Sequence, residues 1–151
     1  GRYAQINDKN EVFIASNIND YISPLEFRNL KINLISNEKN VSKIKIKGPK
    51  QLEFKKENNT WLLNNEKIDS TKVNNYLLGI KELIADDLII EQNLSKPLYT
   101  LEVTENNKTK NYEIYQKDDY YLLKNTQEKH LYKINEITLN SIIPSMENLK
   151  K

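Results

Sequence analysis

The stretch VSKIKIKGPKQLEFKKENNTWLLNN, residues 41–65, decides the fold of this chain. Within it, apolar and charged residues alternate over residues 44–47 and again over residues 52–55, which is typical of strands with one buried face. A Gly-Pro pair and two Asn-Asn pairs separate the apolar runs and favour tight turns. The stretch therefore predicts three antiparallel strands, Val41–Lys47, Leu52–Lys55 and Thr60–Leu63.

The hydrophobic period changes after residue 65. Apolar residues then recur at the spacing of one helical face, and either Asp69 or Ser70 is a suitable N-cap. We therefore predict a helix from about Thr71 to Ala85, followed by a short apolar exit and candidate strand at Leu88–Ile90. The predicted buried face of the helix consists of Val73, Leu77, Ile80 and Ile84.

The strand pattern restarts near residue 98. The residues WLLNN at 61–65 resemble YLLKN at 121–125, an offset of 60 residues (121 − 61), and each pentapeptide ends the third strand of its half. Asn135 is a suitable cap for a second helix, which Pro144 ends or kinks. The second half therefore repeats the first, with predicted strands at Leu98–Val103, Lys110–Tyr115, Tyr120–Leu123 and Leu131–Ile134.

The opening of the chain reads as the tail of an earlier copy. Strands are predicted at Tyr3–Asn7 and Glu11–Ser16, and a short helix capped by Asn19 or Asp20 is interrupted at Pro24. We expect an α+β fold of tandem units, each an antiparallel β-meander of three to four strands plus one helix packed on the sheet. Three segments follow: residues 1–40, which pack on the first lobe, and the repeats at 41–92 and 93–151.

Composition excludes several classes of function. The 151 residues include 23 basic and 21 acidic residues, and the basic ones are almost all Lys. This near balance argues against a nucleic-acid-binding protein, which concentrates basic charge on one face. The absence of Cys excludes disulfides and thiolate metal sites. No apolar run is long enough to span a membrane. Since the chain opens at Gly1, we expect an excised fragment of a protein with an upstream targeting or anchoring segment.

Five features together resemble the domain of unknown function 4340 family. They are the hairpin Tyr3–Ser16, the Leu25–Leu30 segment with Arg28, the paired strands, Trp61-Leu62 and the helix around Val73–Leu83. Phe27-Arg28 stands where the family usually has leucine-arginine. The resemblance covers about residues 3–90, and the remainder repeats it.

The resemblance implies a bacterial, extracytoplasmic protein held by an upstream membrane segment. It also implies association with ABC-transporter systems similar to those of gliding motility. No catalytic residues are established for the family, so the resemblance assigns none to this chain.

Residues with catalytic or metal-binding chemistry are sparse. His130 is the only histidine, which excludes a histidine-rich metal site, and we interpret it as a half-exposed residue at a strand start. Asp86-Asp87 with Glu91 fits a polar helix terminus better than a cation site, because an EF-hand spacing is absent. Asp118-Asp119 fits a hairpin turn. We therefore expect no catalytic site, no metal and no cofactor.

Four residues remain as candidate structural or ligand contacts: Arg28, Trp61, Tyr112 and Tyr121. The aromatic residues suit either a stacking platform for a sugar or packing within a sheet. Arg28, flanked by Phe27, suits either an internal clamp on carbonyl groups or a ligand contact.

Two functions follow from these expectations. The first is a non-enzymatic interaction or scaffold module that binds a protein partner at the membrane, with exposed sheet edges that accept partner strands. The alternative is a module that binds a small ligand or glycan on Tyr-rich sheet faces.

Overall fold

The computed structural model describes residues 3–5, 12–14, 30–90 and 93–150. Its strands are β1 (Tyr3–Gln5), β2 (Val12–Ile14), β3 (Val41–Lys47), β4 (Leu52–Glu57), β5 (Thr60–Leu63), β6 (Glu66–Lys67), β7 (Asp87–Ile89), β8 (Tyr99–Glu105), β9 (Lys108–Gln116), β10 (Tyr121–Asn125) and β11 (Leu131–Ile134). Its helices are α1 (Ser70–Lys81), α2 (Glu136–Ile142) and α3 (Met146–Lys150), and a 3-10 turn covers Glu38–Asn40.

Nine strands of the described chain form one sheet in the order β6-β5-β4-β3-β8-β9-β10-β11-β7. Every neighbouring pair is antiparallel. β1 and β2 pair with each other in a separate two-stranded sheet. The predicted α+β class with antiparallel meanders is therefore confirmed. The further prediction that residues 1–40 pack on the first lobe stays a prediction.

The two predicted lobes share a single sheet. β3 and β8 pair at its centre, with Ile46 opposite Leu101 and Lys45 opposite Glu102. Both strands alternate apolar and polar residues, so this pairing continues one apolar face across the sheet. Sequence periodicity identifies each strand, but it does not show that these two, about 55 residues apart, are neighbours.

The strands of the two halves pair in corresponding registers. Phe54 lies opposite Leu63 in the β4–β5 pair, and Ile114 lies opposite Leu123 in the β9–β10 pair, at positions 60 residues later. The strands run outwards from the central β3–β8 pair in the same order on each side, β4-β5-β6 and β9-β10-β11. An additional strand, β7, lies beyond β11.

Asn-Asn pairs form three of the turns, including the two predicted within residues 41–65. Asn58-Asn59, Asn64-Asn65 and Asn106-Asn107 all have positive φ angles, between 49° and 70°. Two consecutive residues of this kind make a type I′ turn, which suits the twist of a two-residue hairpin. Asn is the residue other than Gly that adopts this backbone most readily. The turn at 64–65 leads into β6, a short charged strand that the apolar pattern does not predict.

Helix α1 is shorter than predicted. Asp69 caps it, because the side chain accepts a hydrogen bond from the Thr71 N–H at 2.8 Å. The helix ends at Lys81 because the residues that follow it pair with residues 30–32. The Ile32 N–H donates to the Leu83 carbonyl at 2.9 Å, and the Ala85 N–H donates to the Leu30 carbonyl at 2.7 Å. α2 begins as predicted, with the Asn135 side chain accepting from the Thr138 N–H at 2.9 Å.

The main hydrophobic core lies between the sheet and its helices. The Phe54 and Tyr76 rings stack with centroids 4.9 Å apart, which joins β4 to α1. The Tyr76 hydroxyl donates to the Ile142 carbonyl at 2.8 Å, which joins α1 to α2. On the opposite face, Leu94 in the connection before β8 packs on a smaller apolar cluster formed by Tyr115, Leu122 and Leu131. Helices therefore cover one face, and part of the other carries this smaller cluster.

Some predictions lie outside the described residues. These are the turn at 7–10, the short helix capped by Asn19 or Asp20, the core contacts of Leu25 and Phe27, and Glu91. Among the helices of the described ranges, none has the length and apolar character needed to cross a bilayer.

Candidate functional site

Trp61 is a core residue. Its side chain is 2% exposed and belongs to the main hydrophobic cluster. The Lys56 ammonium lies 5.9 Å from the ring centroid, and Lys56 is opposite Trp61 in the β4–β5 pair. The ring is therefore part of the core on the helix-covered face of the sheet. Of the two alternatives that the sequence left open for Trp61, a sugar-stacking platform and packing within the sheet, the structure shows packing.

Tyr112, on β9, attaches residues 30–36, which precede β3, to the sheet. Its side chain is 4% exposed, and its hydroxyl donates to the Asn33 carbonyl at 3.0 Å. The Lys110 ammonium donates to the same carbonyl at 3.1 Å. Burial raises the pKa of the Tyr112 hydroxyl above its usual range. Tyr112 thus holds residues 30–36 over the covered face of the sheet.

Tyr121 is half-buried and packs against the main core from the start of β10. Three other sheet tyrosines are more deeply buried: Tyr99, Tyr115 and Tyr132 are at most 9% exposed. Burial and a hydrogen bond to Glu113 raise the pKa of Tyr115 to about 12. Arg28, the fourth candidate, lies outside the described residues.

His130 and the paired carboxylates have local partners. His130 Nε2 lies 3.2 Å from Glu128 Oε2, and the His130 side chain is 43% exposed, which confirms the predicted half-exposed histidine. Asp86 accepts from the Asn135 amide at 3.3 Å. The Lys117 N–H donates to the Tyr120 carbonyl at 2.9 Å, which closes the turn predicted around residues 118–119. Within the described ranges, no three His, Asp or Glu side chains group as metal ligands would.

Sequence reasoning missed Glu105. This carboxylate is 7% exposed and accepts hydrogen bonds from the Ser36 N–H at 3.0 Å and the Asn37 N–H at 2.6 Å. It fixes the loop that precedes β3 to the end of β8. The alternation along β8 could have revealed that Glu105 is buried, because residues 99, 101, 103 and 105 all face the covered side.

The uncovered face of the sheet is polar around its centre. Lys43 and Lys45 of β3 flank Glu53 of β4, with N–O distances of 3.8 and 3.6 Å. All three side chains keep about a third of their surface exposed, at 39%, 34% and 29%. Because these side chains remain partly exposed, this part of the face is a solvated surface, and its ion pairs contribute little to stability.

One end of the sheet, as the described residues form it, lies beside a cavity. β6 is the last strand in the order, and both Glu66 and Lys67 are exposed. A cavity of about 260 Å³ lies next to it, and its wall combines three apolar and four charged residues: Leu63, Ile68, Leu149, Glu66, Lys67, Asp69 and Lys72. This β6 edge, defined by residues 66–68, is the candidate functional site.

The family of the chain follows from comparison with known proteins. No curated protein and no solved structure matches the chain. A family model described as Domain of unknown function (DUF4340) matches residues 1–104, more than half of the chain. This match includes the residues that carry the resemblance in sequence, from the opening hairpin through Trp61 to the first long helix. The chain belongs to the DUF4340 family.

Proposed function

We propose that this protein is a non-catalytic interaction scaffold outside the cytoplasmic membrane of a bacterium. It is anchored through an upstream membrane segment and works with a membrane complex similar to an ABC transporter of the gliding-motility type. The location and the kind of complex rest on the family resemblance. The proposal includes no enzymatic activity and no cofactor.

The position of β6 at the end of the sheet, as the last strand among the described residues, is the observation that carries the proposal. Backbone groups at the edge of a sheet pair readily with an extended segment of another protein. At the opposite end of the sheet β7 is likewise the last described strand, with β11 as its described neighbour. A stable sheet that ends in short strands suits a protein that acts by holding a partner.

The position of the aromatic side chains favours this function over glycan binding. A stacking platform needs exposed rings. Trp61 and Tyr112 are 2% and 4% exposed, and they hold the core and the loop before β3 instead. The glycan-binding alternative therefore loses Trp61 and Tyr112 as members of an exposed stacking surface.

We further propose that residues 41–90 and 98–149 are duplicated copies of one unit. The matching registers of β4–β5 and β9–β10 support this. A solved structure in which the two halves fail to superimpose over their strands would contradict the duplication.

Affinity purification from membranes of the source organism tests the scaffold proposal. The bait is the full-length protein, cross-linked in cells before solubilisation, and the co-purified proteins are identified by mass spectrometry. We expect enrichment of membrane transport components. The control bait carries Gly48→Val, which disrupts the fold at the turn between β3 and β4 and should lose that enrichment. Recovery of the same proteins with both baits, or of none with either, would count against the proposal.

A further inference from the structure

A groove lies between α1 and the pair α2–α3. Its volume is about 340 Å³, at the lower end of the range found for small-ligand sites. Helix α1 contributes one stripe to the wall, Lys72, Asn75, Tyr76 and Gly79, at the three- and four-residue spacing of a helix face. The opposite wall comes from α2, α3 and the residues between them. We call this feature the helix groove.

The glycine in this wall is not explained by the packing of the chain. The sequence has three glycines, and Gly79 is inside α1, where glycine is less stable than alanine because it loses more conformational freedom on folding. A Cβ atom at Gly79 would meet no atom within 4 Å, so close packing does not exclude a side chain. Since Gly79 lines the helix groove, a side chain there would occupy it. The glycine therefore keeps the groove free.

Three asparagine side chains share the groove with Gly79. Asn75, Asn140 and Asn148 are exposed, and no hydrogen bond among the described residues uses their side-chain amides. Each amide has two donor hydrogens and an acceptor oxygen, so it can pair with hydroxyl groups in both directions. The Tyr76 hydroxyl donates to the Ile142 carbonyl instead. The amides are thus the polar groups that the helix groove offers to hydroxyls.

Lys72 supplies the charge of the groove. It is half-buried, and the wall contains no Asp or Glu and no second Lys. None of the ion pairs among the described residues includes Lys72. An ammonium group without a counter-charge attracts a carboxylate, and a hydrogen bond between the two is stronger than one between neutral groups. Charge complementarity therefore favours a ligand with one carboxylate.

We propose that the helix groove binds a small polyhydroxy compound with one carboxylate, of the size of a monosaccharide acid. The carboxylate binds the Lys72 ammonium, and the hydroxyls bind the amides of the three asparagines. The ring of the compound lies against the helix backbone at Gly79, where no Cβ keeps it away. This inference goes beyond the proposed scaffold function, and the site is separate from the Tyr-rich sheet faces considered for glycan binding.

A titration of the isotopically labelled protein with sugar acids tests the site. The probes are sodium glucuronate and sodium galacturonate. Glucose and galactose, at the same ionic strength, are the matched sugars without a carboxylate. We expect saturable shifts of the side-chain amide signals of Asn75, Asn140 and Asn148 in nuclear magnetic resonance spectra with at least one sugar acid. The matched uncharged sugar should bind about fivefold more weakly, because it lacks the contact with Lys72.

Two variants test the residues of the groove. Gly79→Leu introduces a good helix former whose side chain fills the groove, so we expect an unchanged or higher unfolding temperature and no saturable shifts. Asn74→Leu is the control, since it places the same side chain on α1 outside the groove, and it should bind like the unchanged protein. Lys72→Met keeps an aliphatic stem without the charge. It should weaken binding of the sugar acid about fivefold and leave that of the uncharged sugar unchanged.

Several results would overturn the inference. They are the absence of saturable shifts with both sugar acids, equal binding of charged and uncharged sugars, unchanged binding by Lys72→Met, and unchanged binding by a folded Gly79→Leu variant. If Gly79→Leu does not fold, the comparison of sugars and the Lys72→Met variant decide the question. The titration needs no membrane partner. Its failure therefore leaves the scaffold proposal standing, and failure of the membrane purification leaves this site standing.

Discussion

At the scale of single residues, Gly48 has no space for a side chain. A Cβ atom there would lie 2.5 Å from Tyr99 Cδ1 and 2.6 Å from the Leu98 carbonyl oxygen. We expect Gly48→Ala to lower the free energy of unfolding by about 1–3 kcal/mol, measured by urea denaturation. Gly79→Ala is the control, since no atom lies within 4 Å of its added Cβ, and it should stabilise the helix by about 0.5–1 kcal/mol. Equal effects of the two changes would contradict the close approach.

Because of Tyr115, we expect the free energy of unfolding to depend on pH in the alkaline range. Its pKa is raised to about 12 in the folded protein, against about 10 for an unfolded tyrosine. The folded state therefore keeps the proton longer, so its contribution is complete below about pH 10 and is lost as the pH rises through about 12. Tyr115→Phe should flatten the fall in unfolding free energy across this window, measured by denaturation at several pH values. An unchanged slope, matching a Tyr120→Phe control, would contradict this.

Glu105 carries a second residue-scale prediction. Glu105→Ala leaves the N–H groups of Ser36 and Asn37 without their acceptor, and a lost hydrogen bond to a charged group costs about 1.5–3 kcal/mol. We expect urea denaturation to show a loss of this size. Glu102→Ala, on the polar face of the same strand, should change stability by less than about 0.5 kcal/mol. A loss no larger than that of the control would contradict the anchoring role.

At the scale of elements, the Asn-Asn turns make the hairpins. Asn59 has a φ of 63°, a backbone that costs about 1–2 kcal/mol for a residue with an ordinary Cβ. We therefore expect Asn59→Ala to destabilise the protein by about 1 kcal/mol and Asn59→Gly to leave it unchanged or more stable. Thermal unfolding checks both. Asn75→Ala, on the surface of α1, should be neutral or slightly stabilising. Equal effects of Ala at positions 59 and 75 would contradict the turn assignment.

Elements with a strong local pattern were predictable, and those defined by their partners were not. The strands Val41–Lys47, Thr60–Leu63 and Leu131–Ile134 agree with the predictions because one face of each is apolar. Helix α1 was predicted to end four residues too late, since its apolar period continues to Ile84 while residues 83–85 pair with residues 30–32. Of the candidate site residues, Trp61, Tyr112 and Tyr121 were identified by type, and their enclosure depends on packing. Lys67 gave no local signal at all.

At the scale of the whole molecule, the sheet cannot be divided after residue 104. The segment 1–104 ends in β8, whose outer partner is β9, and it lacks β11, the partner of β7. We expect a fragment of residues 1–104 to be unfolded or aggregated, because it exposes the apolar face of β8 and leaves β7 unpaired. Circular dichroism and sedimentation measure this against the full chain. A soluble fragment with a cooperative unfolding transition would show that the first unit folds alone.

Local chemistry determined the strands, the turns and the caps of this protein, because alternation, Asn pairs and capping side chains act within a few residues. Only the tertiary structure decided that β3 joins β8, that β7 pairs with β11, and that β6 is the last described strand of the sheet, beside a cavity. These choices depend on matching apolar faces between segments far apart in the chain. No short stretch of sequence contains that information, since it arises when the whole sheet buries one continuous face.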